Sequence, residues 1–360
     1  MTTVDATITL TQGAPTADMT PQSLIVDAVA SAHRQYDMAM MRYGNAQGFA
    51  PLRHWLATQF ESDPDQFIIG NGSINLLAML TEHYIRENDV VLVENPTYYR
   101  AKVLFEAVGA QVIPISLDVD GMDTDRLANI IERHTPKLLY IVPDFHNPTG
   151  ITTSLEKRQA IAHLAQKNDV LIYEDNAYWS LRYAGTPLPQ VRTFAPEHTI
   201  TSGSFSKLLT PALRTGWIHI PKAIKATLMQ YIENRTISPN FFSQATIAAI
   251  VQQPQYVQHI AHLRKIYLKR RNHALQTLDH YLATLDATWT QPDGGFFIGL
   301  WLPRTKRPIW EVARENGLVV INGDKFFVDK PGQDFVRLPF CSVDEERFRI
   351  GIQRLAQAYQ

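Results

Sequence analysis

Several protein classes are excluded by what this chain has little of. It holds one cysteine, Cys341, in 360 residues, so no intrachain disulfide can form and a reducing compartment is expected. That cysteine sits in an apolar run and reads as packed. Charge of one sign is also missing, since 34 Lys and Arg meet 35 Asp and Glu for a formal net charge of −1. Such a balance gives no footing to a nucleic-acid or membrane partner. No apolar run approaches the roughly 20 residues that a membrane-spanning helix needs. The start, Met1-Thr-Thr-Val-Asp5, lacks the basic residues and apolar core of an export signal, and a cytoplasmic location is expected. His259 and His262 lie three apart on a helical pattern without a carboxylate or cysteine cluster. They read as a solvated helix face, and no metal site is expected. Repeats and low-complexity tracts are absent.

What is there is an ordinary globular composition, 45% hydrophobic and 19% charged, in a chain long enough for two lobes. Short apolar runs at 67–70, 90–94, 111–116, 138–142, 170–174, 199–203 and 215–220 alternate with amphipathic stretches. The alternation predicts a mainly parallel sheet covered on both faces, with ligands beyond the carboxyl ends of its strands. Thr153-Ser-Leu-Glu156 reads as a capping box opening one helix, and Ser342-Val-Asp-Glu345 as a second opening the last helix. After Pro254 the pattern changes to a long helix over about 256–285, with Lys265, Lys269, Arg270 and Arg271 on its exposed face. The turn Pro292-Asp-Gly-Gly295, an apolar strand through Leu302, a helix near 310–316 and a strand carrying Arg337 follow. This portion reads as a smaller α+β domain of residues 1–44 plus 256–360, set beside a large domain of residues 45–255.

The most informative segment is Ser202-Gly-Ser-Phe-Ser-Lys207, with Arg214 seven positions on. A lysine becomes a nucleophile toward an aldehyde when it is partly dehydrated or close to other cations. Hydroxyls and an arginine beside it suit a phosphate. Pyridoxal phosphate presents both groups on one ring. Ser204-Phe-Ser-Lys207 also fits the Ser-x-x-Lys pattern of penicillin-binding enzymes. Those enzymes need a Lys-Thr-Gly-like strand far along the chain, however, and Arg214-Thr-Gly216 is too close. No Ser-Asp-Asn occurs.

Four further segments stand in order around it: Tyr43-Gly-Asn-Ala-Gln-Gly48 with Leu52-Arg53, Asn147-Pro-Thr-Gly150, Tyr173-Glu-Asp175-Asn-Ala-Tyr178, and Val336-Arg337-Leu-Pro-Phe340. With the lysine segment they resemble the fold-type-I pyridoxal-phosphate aminotransferases. The likeness is strongest to the kynurenine/2-aminoadipate aminotransferases and the aminotransferase-like domains of MocR-type proteins. It covers the chain from about Gly13 to the C-terminal helix. The resemblance implies a three-layer α/β fold, pyridoxal 5'-phosphate as cofactor, and exchange of an amino group between an L-amino acid and a 2-oxo acid.

Residue roles follow from the same likeness. Lys207 would bind the cofactor covalently and carry the substrate α-proton. On local sequence Asp175 reads either as a helix N-cap or as a buried carboxylate. By resemblance it pairs with the cofactor's ring nitrogen, while Tyr178 and Asn147 reach the phenolic oxygen. Gly72, Ser73 and Ile74 follow a strand and open a helix, so their amides face an anion. Ile74 stands where many relatives have glutamine, so only its backbone can contribute. Ser204, Ser206 and Arg214 complete the phosphate site, and Tyr43 would reach the neighbouring subunit's phosphate, implying a homodimer with shared active sites. Tyr98 holds the place of the aromatic that stacks on the ring. Arg337, inside the apolar strand 335–340, is costly to bury without an anion and would clamp the substrate α-carboxylate, with Asn147 beside it. Tyr99, Trp179 and Tyr183 lie near the expected loops and receive no role.

Two other functions fit parts of the pattern. One is a different pyridoxal-phosphate reaction on the same scaffold, such as elimination, cyclisation or oxidation, because any reaction starting with α-proton loss uses these residues. The other is the effector-sensing domain of a regulator. MocR-type regulators carry a winged helix-turn-helix first, whereas this chain starts almost directly with the aminotransferase-like region, and its charge is near neutral. A histidinol-phosphate aminotransferase is a weaker fit, since the lysine segment of that group is worded differently.

Overall fold

The computed structural model describes residues 7–303, 307–329, 332 and 334–359. Among them the strands are β1 Ile8–Leu10, β2 Phe67–Gly70, β3 Val90–Asn95, β4 Gln111–Asp118, β5 Gly121–Met122, β6 Leu138–Ile141, β7 Leu171–Asp175, β8 Thr199–Ser204, β9 Gly216–His219, β10 Thr288–Trp289, β11 Phe297–Trp301, β12 Leu318–Val320 and β13 Phe335–Pro339. The α-helices are α1 Gln22–Tyr36, α2 Ala50–Gln59, α3 Ser73–Tyr84, α4 Tyr99–Ala107, α5 Thr124–Arg133, α6 Leu155–Lys167, α7 Lys222–Arg235, α8 Phe241–Val251, α9 Pro254–Leu282, α10 Ile309–Glu315 and α11 Glu345–Gln357. Each of the seven apolar runs from 67 to 220 contains a strand.

Eight strands form one sheet in the order β2-β9-β8-β7-β6-β3-β4-β5. The pairs β8–β7, β7–β6, β6–β3 and β3–β4 are parallel, while β9 runs against both neighbours and β5 against β4. Side chains alternate between faces as the strand period requires. Leu138 and Tyr140, Leu171 and Tyr173, and Val91 and Val93 pack with α3, α4 and α7. Leu139 and Ile141, Ile172 and Leu92 pack on the opposite side with α5 and α6. Because β2, β3, β6, β7 and β8 point the same way, the loops after them open on one edge.

Two smaller sheets lie outside this one, β10-β11-β13 and a parallel pair of β1 with β12. That pairing joins the N-terminal segment to the C-terminal part, while α1 packs against α8. No helix among the described residues is long and apolar enough to cross a membrane.

Both expected capping boxes are displaced. α6 is capped by Ser154, which accepts from the Lys157 amide. Thr153 is engaged elsewhere, donating its amide to Pro143 and accepting from Arg158 Nε. α11 is capped by Asp344, accepting from the Arg347 amide at 2.8 Å. A carboxylate suits the positive helix end, and Ser342 donates instead to the Pro339 carbonyl. Arg270 and Arg271 do not share the exposed face of α9: Arg270 turns inward to the Cys341 carbonyl at 2.9 Å, and Arg271 is half-buried with its Nε enclosed.

Candidate active site

Every residue expected in the site except Tyr43 lines one cleft of about 360 Å³ at the carboxyl edge of the sheet. Sheet register explains how residues distant in sequence arrive there. β6, β7 and β8 lie side by side, and Asp175 is directly opposite Ser202. Tyr140, Asp175 and Ser202 therefore project to one face near the strand ends, where Tyr140 Oη donates to Asp175 Oδ2 at 2.7 Å and Ser202 Oγ to Oδ1 at 3.1 Å. Burial pushes the Asp175 carboxyl up, while these two hydroxyls and the nearby Lys207 hold it down. A cation in the cleft is what would keep this carboxylate charged. Asp175 is the last residue of β7 and caps no helix.

Lys207 lies three residues beyond β8. Its amine is buried and donates to the Gly13 carbonyl at 2.6 Å. Burial pulls its pKa below the ordinary lysine value, and Arg337 and Arg214 add to the fall, against Cys341 and Asp175. The turn is braced from outside, since His259 bonds the Leu208 carbonyl at 2.7 Å. His259 is thus no solvated histidine, and its burial lowers its pKa.

β2 ends at Gly70, and α3 begins at Ser73, directly after the two-residue turn Asn71-Gly72. Gly72 is its N-cap and no side chain caps it, so the first amides of α3 remain open to an anion. Gly72 has φ +104°, and a Cβ there would come within 2.8 Å of the Arg214 guanidinium. Arg214 itself is left-handed at φ 46°, a strained position for an arginine, closing the turn at 211–213. Ser204 Oγ accepts the Ser206 amide at 3.2 Å. Open amides, two serines and an arginine thus surround a space shaped by a missing side chain.

Arg337 is buried in the middle of β13 between the Phe297 and Phe326 rings, at 4.3 and 5.3 Å. It donates to Asn147 Oδ1 at 3.0 Å and to the Thr11 carbonyl at 2.7 Å, while its Nε has no partner. Among the described residues no carboxylate pairs with it, and burial lowers its pKa. With Oδ1 occupied, the Asn147 amide nitrogen is the group left to donate. The loop carrying Asn147 is held by Glu94, which accepts the Val142 amide at 2.8 Å and lies 3.1 Å from His146.

Tyr98 and Tyr178 also face the cleft, and burial raises Tyr98 to about 12 and Tyr178 upward as well. Tyr43 stands apart at 85% exposed. Of the aromatics without a role, Tyr99 lines the cleft, Trp179 packs with Trp55, Phe60 and Trp217, and Tyr183 donates to the Gly295 carbonyl. Sequence reasoning missed Tyr140, Ser202, Arg100 and the Thr11–Ala14 backbone. A tyrosine inside the apolar run 138–142 was the one signal for Tyr140, and Ser202 opens the lysine segment itself.

These groups suit pyridoxal phosphate: a buried amine, a buried carboxylate, an uncapped helix end with an arginine, and a second arginine without an anion among the described residues. The comparisons agree. The family model for aminotransferase class I and II matches residues 6–355. Aromatic-amino-acid aminotransferase 1 of Thermococcus litoralis is 30% identical, over 97% of this chain and 87% of its own. Kynurenine aminotransferase of Pyrococcus horikoshii, solved with PMP, superposes with a TM-score of 0.93 at 30% identity, covering 99% of this chain and 91% of that one. Alpha-aminoadipate aminotransferase of Thermus thermophilus, complexed with N-(5'-phosphopyridoxyl)-L-leucine, gives a TM-score of 0.92 at 26% identity, with 98% and 92% covered. The chain belongs to the class I and II aminotransferases, fold-type-I enzymes that use pyridoxal phosphate to exchange an amino group between an amino acid and a 2-oxo acid.

Proposed function

We propose that the cleft beneath Arg337 is the working site of this aminotransferase and that its residues divide the labour as follows. When bound, pyridoxal phosphate supplies an aldehyde for the amine and a ring that accepts the electron pair left by α-proton loss. Lys207 would hold the group covalently, and its free amine would carry the proton from the substrate α-carbon. Its depressed basicity leaves more free amine at neutral pH. Asp175, buried and held by Tyr140 and Ser202, keeps the ring nitrogen protonated. Asn147 and Tyr178 would stabilise the phenolic oxygen, and Tyr98 would cover the ring. The amides of Gly72, Ser73 and Ile74, with Ser204, Ser206 and Arg214, take the phosphate. Arg337 takes the substrate α-carboxylate, with Asn147 fixing its plane.

The observation that carries this reading is that Lys207, Asp175, Arg214 and Arg337 all open on one cleft. Borohydride reduction of the cofactor-loaded protein, followed by peptide mapping, tests it. The pyridoxyl group is expected on Lys207, and its recovery on another lysine overturns the assignment.

The active unit is proposed to be a cytoplasmic homodimer with Tyr43 serving the partner's phosphate. Exposed Met38, Met41, Tyr43, Ile237 and Phe242 support it, because the Gly44 amide bonds Ser238 and gathers the two segments. The Asn240 amide bonds Asn71, beside Gly72, so this apolar area borders the phosphate cup. Residues 45–255 are proposed as the large domain, and 1–44 with 256–360 as the small one.

A further inference from the structure

We propose that His146 is a positioning residue of the site, acting through Thr149 to hold Asn147 against Arg337. One asparagine can then serve the substrate carboxylate and the cofactor's phenolic oxygen together. This rests on the role given to Asn147 above and begins from a buried imidazole that the division of labour leaves unused.

His146 is 1% exposed and immediately precedes Asn147. Its Nδ1 lies 2.8 Å from Thr149 Oγ1 and accepts the Thr149 amide at 3.4 Å. An amide N–H can only donate, so Nδ1 carries no proton and the ring hydrogen sits on Nε2. Nε2 is 3.1 Å from the buried Glu94 carboxylate, a charge contact rather than an aligned hydrogen bond. With Nδ1 as acceptor, the Thr149 hydroxyl donates to it and itself accepts the Ile151 amide at 3.3 Å. The His146 amide closes the loop on the Ile151 carbonyl at 2.8 Å. Phe145, at the loop's entry, is left-handed at φ 55°, a strained state that persists only where its surroundings fix it.

Thr149 also carries the loop across to the strand of Arg337. Its carbonyl accepts the Gly299 amide at 3.1 Å and the Thr290 hydroxyl. Gly299 stands directly opposite Arg337 in the β11–β13 register, and a Cβ on it would come within 3.1 Å of Thr149 Cα. Asn147 and Arg337 lie on different elements, yet Arg337 donates to Asn147 Oδ1 at 3.0 Å. Their separation is therefore set through Thr149, and the orientation of Thr149 is set by the His146 ring.

The test is a double-mutant cycle on the pyridoxal-phosphate-loaded protein. It reads kcat/KM and the pH midpoint at which the visible band of the cofactor changes. Asn147→Ala should raise that midpoint, because an oxygen that loses a donor holds the proton beside it more tightly. His146→Leu should raise it too, by about half to one pH unit, and lower kcat/KM roughly three- to tenfold. In the Asn147→Ala background His146→Leu should add nothing. Additive effects, or an unmoved midpoint in His146→Leu, overturn the proposal. Thr149→Val removes the hydroxyl alone and decides the matter should His146→Leu fail to fold. It should shift the midpoint the same way, Thr149→Ser should restore it, and a wild-type midpoint in Thr149→Val counts against the proposal. Nitrogen-15 spectra of the histidine rings, with His146→Asn identifying the signal, should show the proton on Nε2. A proton on Nδ1 overturns the arrangement. An Asn147→Ala variant with the wild-type midpoint would instead sink the role given to Asn147 itself.

Discussion

At Asp175 two effects oppose each other, burial raising the carboxyl pKa and the Tyr140 and Ser202 hydroxyls lowering it. The residue keeps its charge best when a cation sits opposite. Asp175→Ala should leave cofactor bound through Lys207 and the phosphate cup. It should slow exchange of the substrate α-hydrogen with deuterated solvent by on the order of a hundredfold or more, the scale of a broken buried ion pair. Near-normal exchange would reduce Asp175 to a structural role. Arg337 poses the complementary case, a buried cation whose Nε has no partner among the described residues. Charged hydrogen bonds contribute about 1.5–3 kcal/mol, so Arg337→Ala should lower kcat/KM by roughly 10- to 100-fold. Arg337→Lys should lose less, since it keeps the charge without the planar fork. The visible spectrum of the bound cofactor should barely move in either variant. Loss of cofactor with substrate affinity intact would mean that Arg337 serves a different anion. His219 shows burial acting away from the cleft. Its Nε2 lies 2.8 Å from Ser62 Oγ and 3.4 Å from Arg192, and burial first, then Arg192, lower its pKa to about 3. Its folded pKa is below the unfolded value near 6.5, so the unfolded chain gains the proton first, and stability falls as pH drops from about 6.5 toward 3. Between pH 7 and 5 the loss from this residue should be about 2 kcal/mol. His219→Gln, unable to titrate, should show a smaller drop in denaturation midpoint over that interval, and an equal drop would refute the assignment.

The elements were legible in the sequence wherever one physical signal dominated. Strands buried in a covered sheet tend to be continuous apolar runs, and each run from Phe67 to Ile220 coincides with a strand, parallel in the middle of the sheet and antiparallel at β2 and β9. Helix ends were less legible, because several residues compete for a cap. Ser154 displaced Thr153 once Thr153 had become a bridge to Pro143 and Arg158, and Asp344 displaced Ser342. No one-dimensional pattern contains those tertiary bonds. The site shows the same division. Lys207, Asp175 and Arg337 announce themselves as polar residues in apolar surroundings, whereas Tyr140 and the Gly13 carbonyl enter only through sheet register and chain crossing. Gly72 lies between these cases, since its glycine suggests a turn and only the fold shows what the turn avoids. Gly72→Ala is strained by φ +104°, a cost to folding of about 1–3 kcal/mol, and its Cβ would push aside the Arg214 guanidinium tip 2.8 Å away. Moving that guanidinium off the phosphate cup forfeits a charged hydrogen bond, so the cofactor dissociation constant should rise on the order of tenfold in a phosphate-dependent titration. Unchanged cofactor affinity would show that the cup is not built around this turn.

In the whole molecule the cleft lacks one of its expected members, because Tyr43 is exposed and outside it. The chain does not bring Tyr43 to its own cleft, yet the Tyr43 segment is bonded to 238–240, and that stretch to Asn71 at the phosphate turn. An exposed tyrosine amid Met38, Met41, Ile237 and Phe242 is the kind of apolar area that marks association. A second copy packed there would exchange tyrosines between two phosphate cups. Subunit mixing distinguishes this from a decorative contact. In a heterodimer of a Tyr43→Phe subunit and a Lys207→Ala subunit, shared sites put both defects in one site and leave the other site intact. The intact site holds Lys207 of the Tyr43→Phe subunit and Tyr43 of the Lys207→Ala subunit. Lys207→Ala homodimers should be inactive and Tyr43→Phe homodimers impaired in holding cofactor. Mixing should therefore give sites with wild-type cofactor affinity, up to half the wild-type number per heterodimer. If the sites are not shared, every active site in the mixture keeps the Tyr43→Phe defect, and cofactor affinity stays at the level of that homodimer. A monomer that transfers amino groups at full rate would end the argument for a partner.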